Sequence, residues 1–229
     1  QAWVSPLVSR VAEGEIRSTI ETLAAYNNRY YTADSGVAAA GWLQGRWSAL
    51  AAGFPGASSR LVKHDGWKQP SVVLTIPGSE KPDEVVILGG HLDSINGWGG
   101  EAARAPGADD NASGIAVLTE AARVLAASGL RPRRTLQFMG YAAEEVGLRG
   151  SPALAKQAAR EGRKVVGVIQ YDMTNFKGSG EGIFLLNDYV DPALTAFLGK
   201  LIEAYAGVPW STTKCGYACS DHASWTKNG

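Results

Sequence analysis

The sequence has no excess of either charge and no long hydrophobic run. It contains 22 Lys and Arg residues against 22 Asp and Glu residues, so its formal net charge at pH 7 is zero. No basic run is visible in the linear sequence, which argues against nucleic acid or an anionic membrane surface as a partner. The apolar runs are a few residues long, far below the ~18 that a membrane-spanning helix requires.

Histidine and cysteine are also scarce, with three and two residues among 229. The cysteines, Cys215 and Cys219, lie four residues apart and could form a disulfide around a tight turn, a redox pair or two free thiols. The chain begins with Gln and carries no basic and apolar leader, so we interpret it as a processed form of a precursor. We therefore expect a secreted protein in an oxidising compartment, which favours the disulfide.

What the sequence does have is a regular alternation of helical and extended patterns. The 45% hydrophobic content is enough for one large domain over residues 1–229. Several predicted strands are apolar on both faces, as a sheet covered by helices on each side requires. The prediction is an α/β fold, a three-layer α/β/α sandwich with a mixed, mostly parallel central sheet. The predicted helices span 14–31, 35–52, 110–129, 152–162 and 192–207, and the predicted strands span 71–78, 84–93, 133–142 and 164–172.

Four polar clusters follow these strands, and such sheets gather functional side chains beyond the carboxyl ends of their strands. Each cluster alone has an ordinary structural explanation, such as a satisfied histidine, a helix N-cap or a solvated turn. Together they would bring six carboxylates and one imidazole to one rim, where uncompensated charge costs several kcal/mol. A bound metal pair removes that repulsion. The clusters are His91-Leu92-Asp93, Asp109-Asp110-Asn111, Glu144-Glu145 and Asp172.

The spacing inside two clusters suggests roles. His91 and Asp93 project to the same side of an extended chain, so Asp93 can accept the free ring N–H of His91 and orient its metal-binding nitrogen. Glu144 and Glu145 are adjacent and point in different directions, so one can bind metal while the other serves the reacting water. Zn²⁺ accepts this ligand set, but Mn²⁺ and Co²⁺ do so too.

Five strings in this order resemble one known family. They are GGHLDS, APGADDNASG, GYAAEEVGLRGS, YDMTN and CGYACSDHASW. They strongly resemble the bacterial leucyl aminopeptidase branch of the secreted di-zinc aminopeptidases, and the likeness runs from about Asn27 to the last residue.

The resemblance implies two zinc ions and a role for each matching residue. His91 and Asp172 would bind one zinc, Glu145 the second, and Asp110 would bridge both, with a cis peptide bond to Asn111. Glu144 would be the general base and Asp93 the partner of His91.

The resemblance also implies how the substrate is held. It makes the cysteine pair a disulfide and gives Tyr217 the role of stabilising the tetrahedral intermediate. Met173, Leu186 and the Cys215–Cys219 bridge would line an apolar pocket for the first side chain. The expected substrates are therefore peptides with a free N-terminus and a hydrophobic, leucine-like first residue.

One departure from the family concerns the second zinc. Its further histidine ligand lies about 25 residues beyond the SDHASW string, whereas this chain stops at Gly229. Either the remainder lies on a companion C-terminal fragment, which we favour, or His222 has been recruited in an abbreviated fold. Otherwise His222 and His64 are expected to be structural, and the protein is expected to be a monomer.

Two rival readings of the same residues stay open. A metallo-carboxypeptidase or an acyl-amino-acid deacylase of this fold would share the metal cluster but would need a cation to hold the substrate carboxylate. A non-catalytic binding domain derived from a peptidase would have no need of the Glu144-Glu145 pair. Metal analysis and assays on free and blocked substrates separate these readings.

Overall fold

A computed structural model of the chain describes residues 3–178, 180 and 182–229. Its helices and strands alternate as the sequence pattern predicts. The helices are α1 (Ser5–Val8), α2 (Glu13–Ala25), α3 (Asp34–Ala51), α4 (Gly114–Ser128), α5 (Gly150–Arg160), α6 (Pro192–Leu201) and α7 (His222–Thr226). The strands are β1 (Ser58–Val62), β2 (Ser71–Ile76), β3 (Lys81–His91), β4 (Arg134–Tyr141), β5 (Lys164–Gln170), β6 (Ile183–Leu186) and β7 (Trp210–Thr213).

Five strands form the central sheet in the order β1-β2-β4-β3-β5. β3 pairs in parallel with both β4 and β5, while β2 is antiparallel to β1 and β4. Four of the five strands therefore run in the same direction, which confirms the predicted mixed, mostly parallel sheet. β6 and β7 pair in parallel in a separate two-stranded sheet.

Helices cover both faces of the central sheet and make the three predicted layers. On one face, α3 and α4 bury Leu43, Trp47 and Leu118 against the even-numbered side chains of β2, such as Leu74. On the other face, Leu154 of α5 and Trp225 of α7 pack against Tyr141 and the odd-numbered Val73. Alternate residues of a strand thus enter opposite cores, because successive side chains of a strand point to opposite faces.

Two sequence predictions need correction. The first helix was predicted over 14–31, but α2 ends at Ala25 and Tyr26 is already extended. Beyond Tyr26 the chain is held by a distant loop and not by helical hydrogen bonds. The Asn28 side chain donates to the backbone carbonyls of Glu101 and Ala103. The second correction concerns β1, β6 and β7, which the sequence pattern did not reveal.

Within the described residues, no helix combines the length and the apolar character that crossing a membrane would take.

Gly129, which follows α4, has the left-handed conformation expected of a glycine at a helix C-terminus.

Candidate metal centre and active site

The carboxyl end of β3 brings three of the predicted metal ligands together. His91 is the last residue of β3 and is buried. Its Nε2 atom lies 2.9 Å from Oδ1 of Asp110 and 3.4 Å from Oδ1 of Asp172. One ligand atom from each of these residues lies within 4.8 Å of the others. Three segments far apart in sequence therefore converge on one point.

The state of the Asp172 carboxylate fits a cation at this point. Its Oδ2 atom accepts the Ser220 hydroxyl at 2.6 Å. Its Oδ1 atom is buried and, within the part of the chain that the structure describes, accepts no hydrogen bond. A buried carboxylate oxygen without a partner is costly, and a metal ion would satisfy it. Carboxylate and imidazole donors of this kind suit Zn²⁺ and similar divalent ions.

Electrostatics support the same conclusion. Burial lowers the pKa of His91, but the nearby carboxylates of Asp110 and Asp172 raise it well above its usual range. Burial opposes ionisation of Asp172, yet contact with His91 keeps its pKa below the ordinary value. The acidic groups at this rim need positive charge, which a divalent cation supplies.

Glu144 lies beside the cluster, and Glu145 lies just outside it. The Oε2 atom of Glu144 is 3.9 Å from Nε2 of His91, and the side chain is 10% exposed. Burial raises the pKa of Glu144 to about 9, and the negative charges of Asp221, Asp172 and Asp93 add to the effect. Burial and the nearby Asp110 raise the pKa of Glu145 to about 7. A bound cation would favour the ionised form of both groups.

Asp93 links the His91 strand to the Glu144 loop. Its Oδ1 atom accepts the backbone N–H of Glu144 at 2.9 Å, and its Oδ2 atom accepts that of Glu145 at 3.1 Å. Nδ1 of His91 lies 3.2 Å from the Asp93 backbone carbonyl and 3.5 Å from its Oδ1 atom. The hydrogen bond of the ring is thus to the backbone of Asp93, and the orienting role of its carboxylate stays a prediction. The carboxylate also fixes the adjacent acidic loop, which was not predicted.

The Asp110 segment is tied to the loop that carries Asp172. The Asp110–Asn111 peptide bond is cis, as the family resemblance implied. Asn111 accepts the backbone N–H of Gly114 at 2.9 Å and donates to the backbone carbonyl of Tyr171 at 2.9 Å. Asp109 accepts the backbone N–H groups of Asn175 and Phe176 at 2.8 and 3.0 Å. Two ligand-bearing loops are therefore held as a unit.

A buried arginine that sequence reasoning missed supports the end of the His91 strand and the loop before Asp110. The Arg29 side chain donates to the backbone carbonyls of Leu92, Leu23, Pro106 and Gly107 at 2.5–3.1 Å. Burial lowers its pKa to about 10, so it stays charged at neutral pH beside the acidic rim. The adjoining Gly107 has a φ of 50°, and a Cβ there would meet Nη2 of Arg29 at 2.7 Å.

Sequence reasoning also missed a hydrogen-bonded group of three residues next to Asp172, formed by Gln170, Ser220 and Asp221. Gln170 donates to the Ser220 hydroxyl at 3.3 Å and to Oδ2 of Asp221 at 3.0 Å. Asp221 is fully buried, and this burial raises its pKa to about 7. The only sequence signal for this group was the SDHASW string, in which Ser220 and Asp221 precede the histidine that drew attention.

Comparison with known proteins agrees with this geometry. Peptidase family M28 matches residues 71–229, which is most of the chain. The chain belongs to Peptidase family M28. A protein of the fungus Trichophyton verrucosum named "Probable leucine aminopeptidase" is 42% identical over 233 residues, covering 100% of this chain and 63% of the relative.

Two solved structures from Legionella pneumophila have the same fold as this M28 chain. LapB superposes with a TM-score of 0.92 at 37% identity, covering 100% of this chain and 62% of LapB. The LapA aminopeptidase superposes with a TM-score of 0.90 at 35% identity, covering 98% of this chain and 60% of LapA. The M28 chain therefore spans less than two thirds of the length of these relatives.

Most of the residues predicted to hold the substrate of the M28 chain lie in or just after β6 and β7, whereas Met173 follows β5. Leu186 ends β6, and Cys215 and Cys219 form the predicted disulfide just after β7. Tyr217, between the cysteines, is 66% exposed, and Met173 beside Asp172 is 56% exposed. Among the described residues, the Tyr217 hydroxyl forms no hydrogen bond. Their roles in substrate binding stay predictions.

The two remaining histidines lie outside the ligand group. Nε2 of His222 is 3.3 Å from the backbone carbonyl of Asp188. His64 follows β1 and does not lie in a strand; its Nε2 atom is 2.7 Å from Oγ of Ser71, and its ring stacks on Trp67. Both rings thus contact neighbouring protein groups, and their structural roles stay predictions.

Proposed function

We propose that this M28 chain belongs to a zinc-dependent aminopeptidase that removes leucine-like residues from the N-terminus of peptides. The observation that carries the proposal is the group of His91, Asp110 and Asp172 beside the buried carboxylate of Glu144. The names of the fungal relative and of LapA support it, and so does the resemblance to the bacterial leucyl branch.

Two zinc ions are part of the proposal. His91 and Asp172 would bind one, Glu145 the other, and Asp110 would bridge them. When bound, the metal supplies Lewis acidity that polarises the scissile carbonyl and acidifies water. Asp110 raises the pKa of Glu145, so the two negative charges repel each other, and a cation between them would remove that repulsion. This supports the second site, although Glu145 lies outside the group of His91, Asp110 and Asp172.

Glu144 acts as general base and then as general acid. It takes a proton from the attacking water and delivers it to the leaving amine. Its position next to the ligand group and the hydrogen bond from its backbone N–H to Asp93 support this role, because a proton shuttle must be held at a fixed place. The Tyr217 hydroxyl would donate to the oxyanion that develops on the substrate.

The buried cation beside the rim is not available to a substrate carboxylate. Arg29 is buried and bound to backbone carbonyls, so it cannot hold the carboxylate that a carboxypeptidase or a deacylase must bind. This observation favours an aminopeptidase over a carboxypeptidase or a deacylase. Met173, Leu186 and the Cys215–Cys219 bridge would form the apolar pocket for the first side chain.

The test is a pair of substrates with the same leaving group. Leucine p-nitroanilide should be hydrolysed, whereas N-acetyl-leucine p-nitroanilide should not be. Chelator treatment followed by dialysis should abolish the activity, and Zn²⁺ should restore it. Faster cleavage of the blocked substrate would refute the aminopeptidase, and absence of metal in the purified protein would favour a non-catalytic domain.

We also propose that the protein is secreted after processing of a precursor. The Cys215–Cys219 disulfide supports this, since such bonds persist in oxidising compartments. A monomeric state and a companion C-terminal fragment stay predictions, and comparing the intact mass under denaturing and native conditions tests both.

A further inference from the structure

A groove of about 580 Å³ runs beside α5, next to the loop that carries Glu144. Its lining includes Leu148 at the end of that loop and the aromatic side chain of Trp67. Four of its lining residues are cations and none is acidic. The cations are Arg149, Lys156, Arg160 and Lys227.

These cations are not neutralised by the protein. Within the described residues, Lys156, Arg160 and Lys227 form no ion pair, and Arg149 lies over the Tyr31 ring at 5.1 Å. Some exposed arginines elsewhere on the surface do have carboxylate partners; Arg133 lies 2.7 Å from Glu80 and Arg163 lies 2.7 Å from Glu161. In a chain whose net charge is zero, this groove concentrates positive charge that a ligand can pair with.

The helix dipole does not explain why these four cations lie on one groove. Arg160 lies in the last turn of α5, where a cation is favoured by the helix dipole. Arg149 precedes the first turn, where a cation is disfavoured, and Lys227 comes from the end of α7. Separate segments thus place cations on one groove, including one at an unfavourable position.

The spacing of two of the cations matches an extended peptide. A helix rises 1.5 Å per residue, so Lys156 and Arg160 are separated by about 6 Å along α5. Side chains on one face of an extended peptide repeat every ~6.6–6.8 Å. Acidic residues at alternate positions could therefore meet Lys156 and Arg160, while Trp67 and Leu148 offer apolar surface in the same groove.

We propose that this groove binds an acidic, extended segment of a polypeptide. Four cations are too few for a nucleic-acid footprint in a protein with a pI near 7.0, which is why a short acidic peptide fits better. The binding is independent of the metal and of hydrolysis. It therefore stands or falls separately from the proposed aminopeptidase activity.

The probe is a dye-labelled peptide, acetyl-(Glu-Thr)4-amide, titrated with the 229-residue protein and followed by fluorescence anisotropy at low ionic strength. The double variant Lys156→Glu/Arg160→Glu should raise Kd by about tenfold or more, because two attractive contacts become repulsive. Acetyl-(Gln-Thr)4-amide should bind at least about tenfold more weakly to the unmodified protein.

The matched control is Arg131→Glu/Lys200→Glu. It makes the same change in net charge, and Lys200 lies in the last turn of α6 as Arg160 lies in that of α5. Its Kd should stay within about threefold of the unmodified protein, because its cations lie off the groove. The milder Lys156→Gln/Arg160→Gln should give an intermediate loss if the charge-reversal variant unfolds. Equal losses in groove and control variants, equal binding of the glutamine peptide, or tighter binding of a sulfated oligosaccharide in the groove would overturn the proposal.

Discussion

The carboxylate of Asp93 accepts the backbone N–H of Glu144 at 2.9 Å. Asp93 is buried, and its second oxygen accepts the next N–H along the chain, at Glu145. The residue two positions after His91, a proposed metal ligand, thereby fixes the backbone of the proposed general base. One side chain lies between the proposed metal site and the proposed base, so a change there should disturb both.

Replacing Asp93 by asparagine tests that alignment. An amide offers one acceptor oxygen, and its NH2 group would face one of the two loop N–H groups, so the loop should shift. We expect kcat/KM for leucine p-nitroanilide to fall ~10–100-fold, with a smaller loss in zinc affinity. Asp65→Asn, an exposed change away from the site, is the control. Unaltered kinetics in Asp93→Asn would contradict the role of Asp93.

Glu144→Gln should separate metal binding from proton transfer. Glutamine keeps the size of the side chain but cannot accept and release a proton, so kcat should fall ~10²–10⁴-fold. Zinc content, measured by plasma mass spectrometry, should stay at the level of the unmodified protein. A fully active Glu144→Gln would show that another group is the base, and a metal-free one would make Glu144 a ligand instead.

Ser220→Ala should weaken the metal site without touching a ligand. The Ser220 hydroxyl donates to Oδ2 of Asp172 at 2.6 Å, which leaves Oδ1 free to face His91. Without that bond the carboxylate can rotate, and we expect zinc affinity in a chelator competition to fall ~10–100-fold. Ser59→Ala, on β1, serves as the control because Ser59 lies outside the site. Equal zinc affinity in Ser220→Ala and the control would rule out an orienting role.

The sequence predicted the metal cluster because strand ends in such sheets share one rim. His91 and Asp172 end or directly follow parallel strands, and the Asp110 segment begins the helix between β3 and β4, so topology alone brings them together. Arg29 and Ser220 escaped notice for a physical reason. Arg29 follows a helix whose predicted end was six residues too late, and Ser220 acts through a carboxylate 48 residues away in sequence. Only the folded chain reveals such partners.

The short strands were missed because their local patterns are weak. β1, with the sequence SSRLV, has no buried residue, and β6 and β7 are four residues each. The strands of the central core were found because burial on both faces requires a nearly continuous apolar run. The sequence thus predicted the strands that are buried on both faces. It did not predict β1, β6 and β7, which form because a neighbouring strand pairs with them.

Glu84 should stabilise the sheet in a pH-dependent way. It lies on β3 and forms ion pairs with Lys164 at the start of β5, at 2.9 Å, and Arg134 at the start of β4, at 2.5 Å. Hydrogen bonds to Lys164 and then Arg134 lower its pKa from 4.5 to about 2. Because the folded state holds the carboxylate ionised, its stabilisation is fully present above the unfolded pKa and is lost as pH falls from about 4.5 towards about 2. Glu84→Gln should therefore lower the Tm at pH 7.

The difference in Tm between the unmodified protein and Glu84→Gln should shrink markedly when the measurement is repeated at pH 3. Glu80→Gln is the matched control, because its pair with Arg133 at 2.7 Å joins two exposed side chains and should contribute only ~0–1 kcal/mol. A Tm difference that is as large at pH 3 as at pH 7 would mean that Glu84 stabilises the sheet by packing and not by its charge. A difference confined to neutral pH would show that the Glu84 carboxylate stabilises the amino-terminal parts of β3, β4 and β5 through its charge. These parts lie at the end of the strands opposite the proposed metal centre.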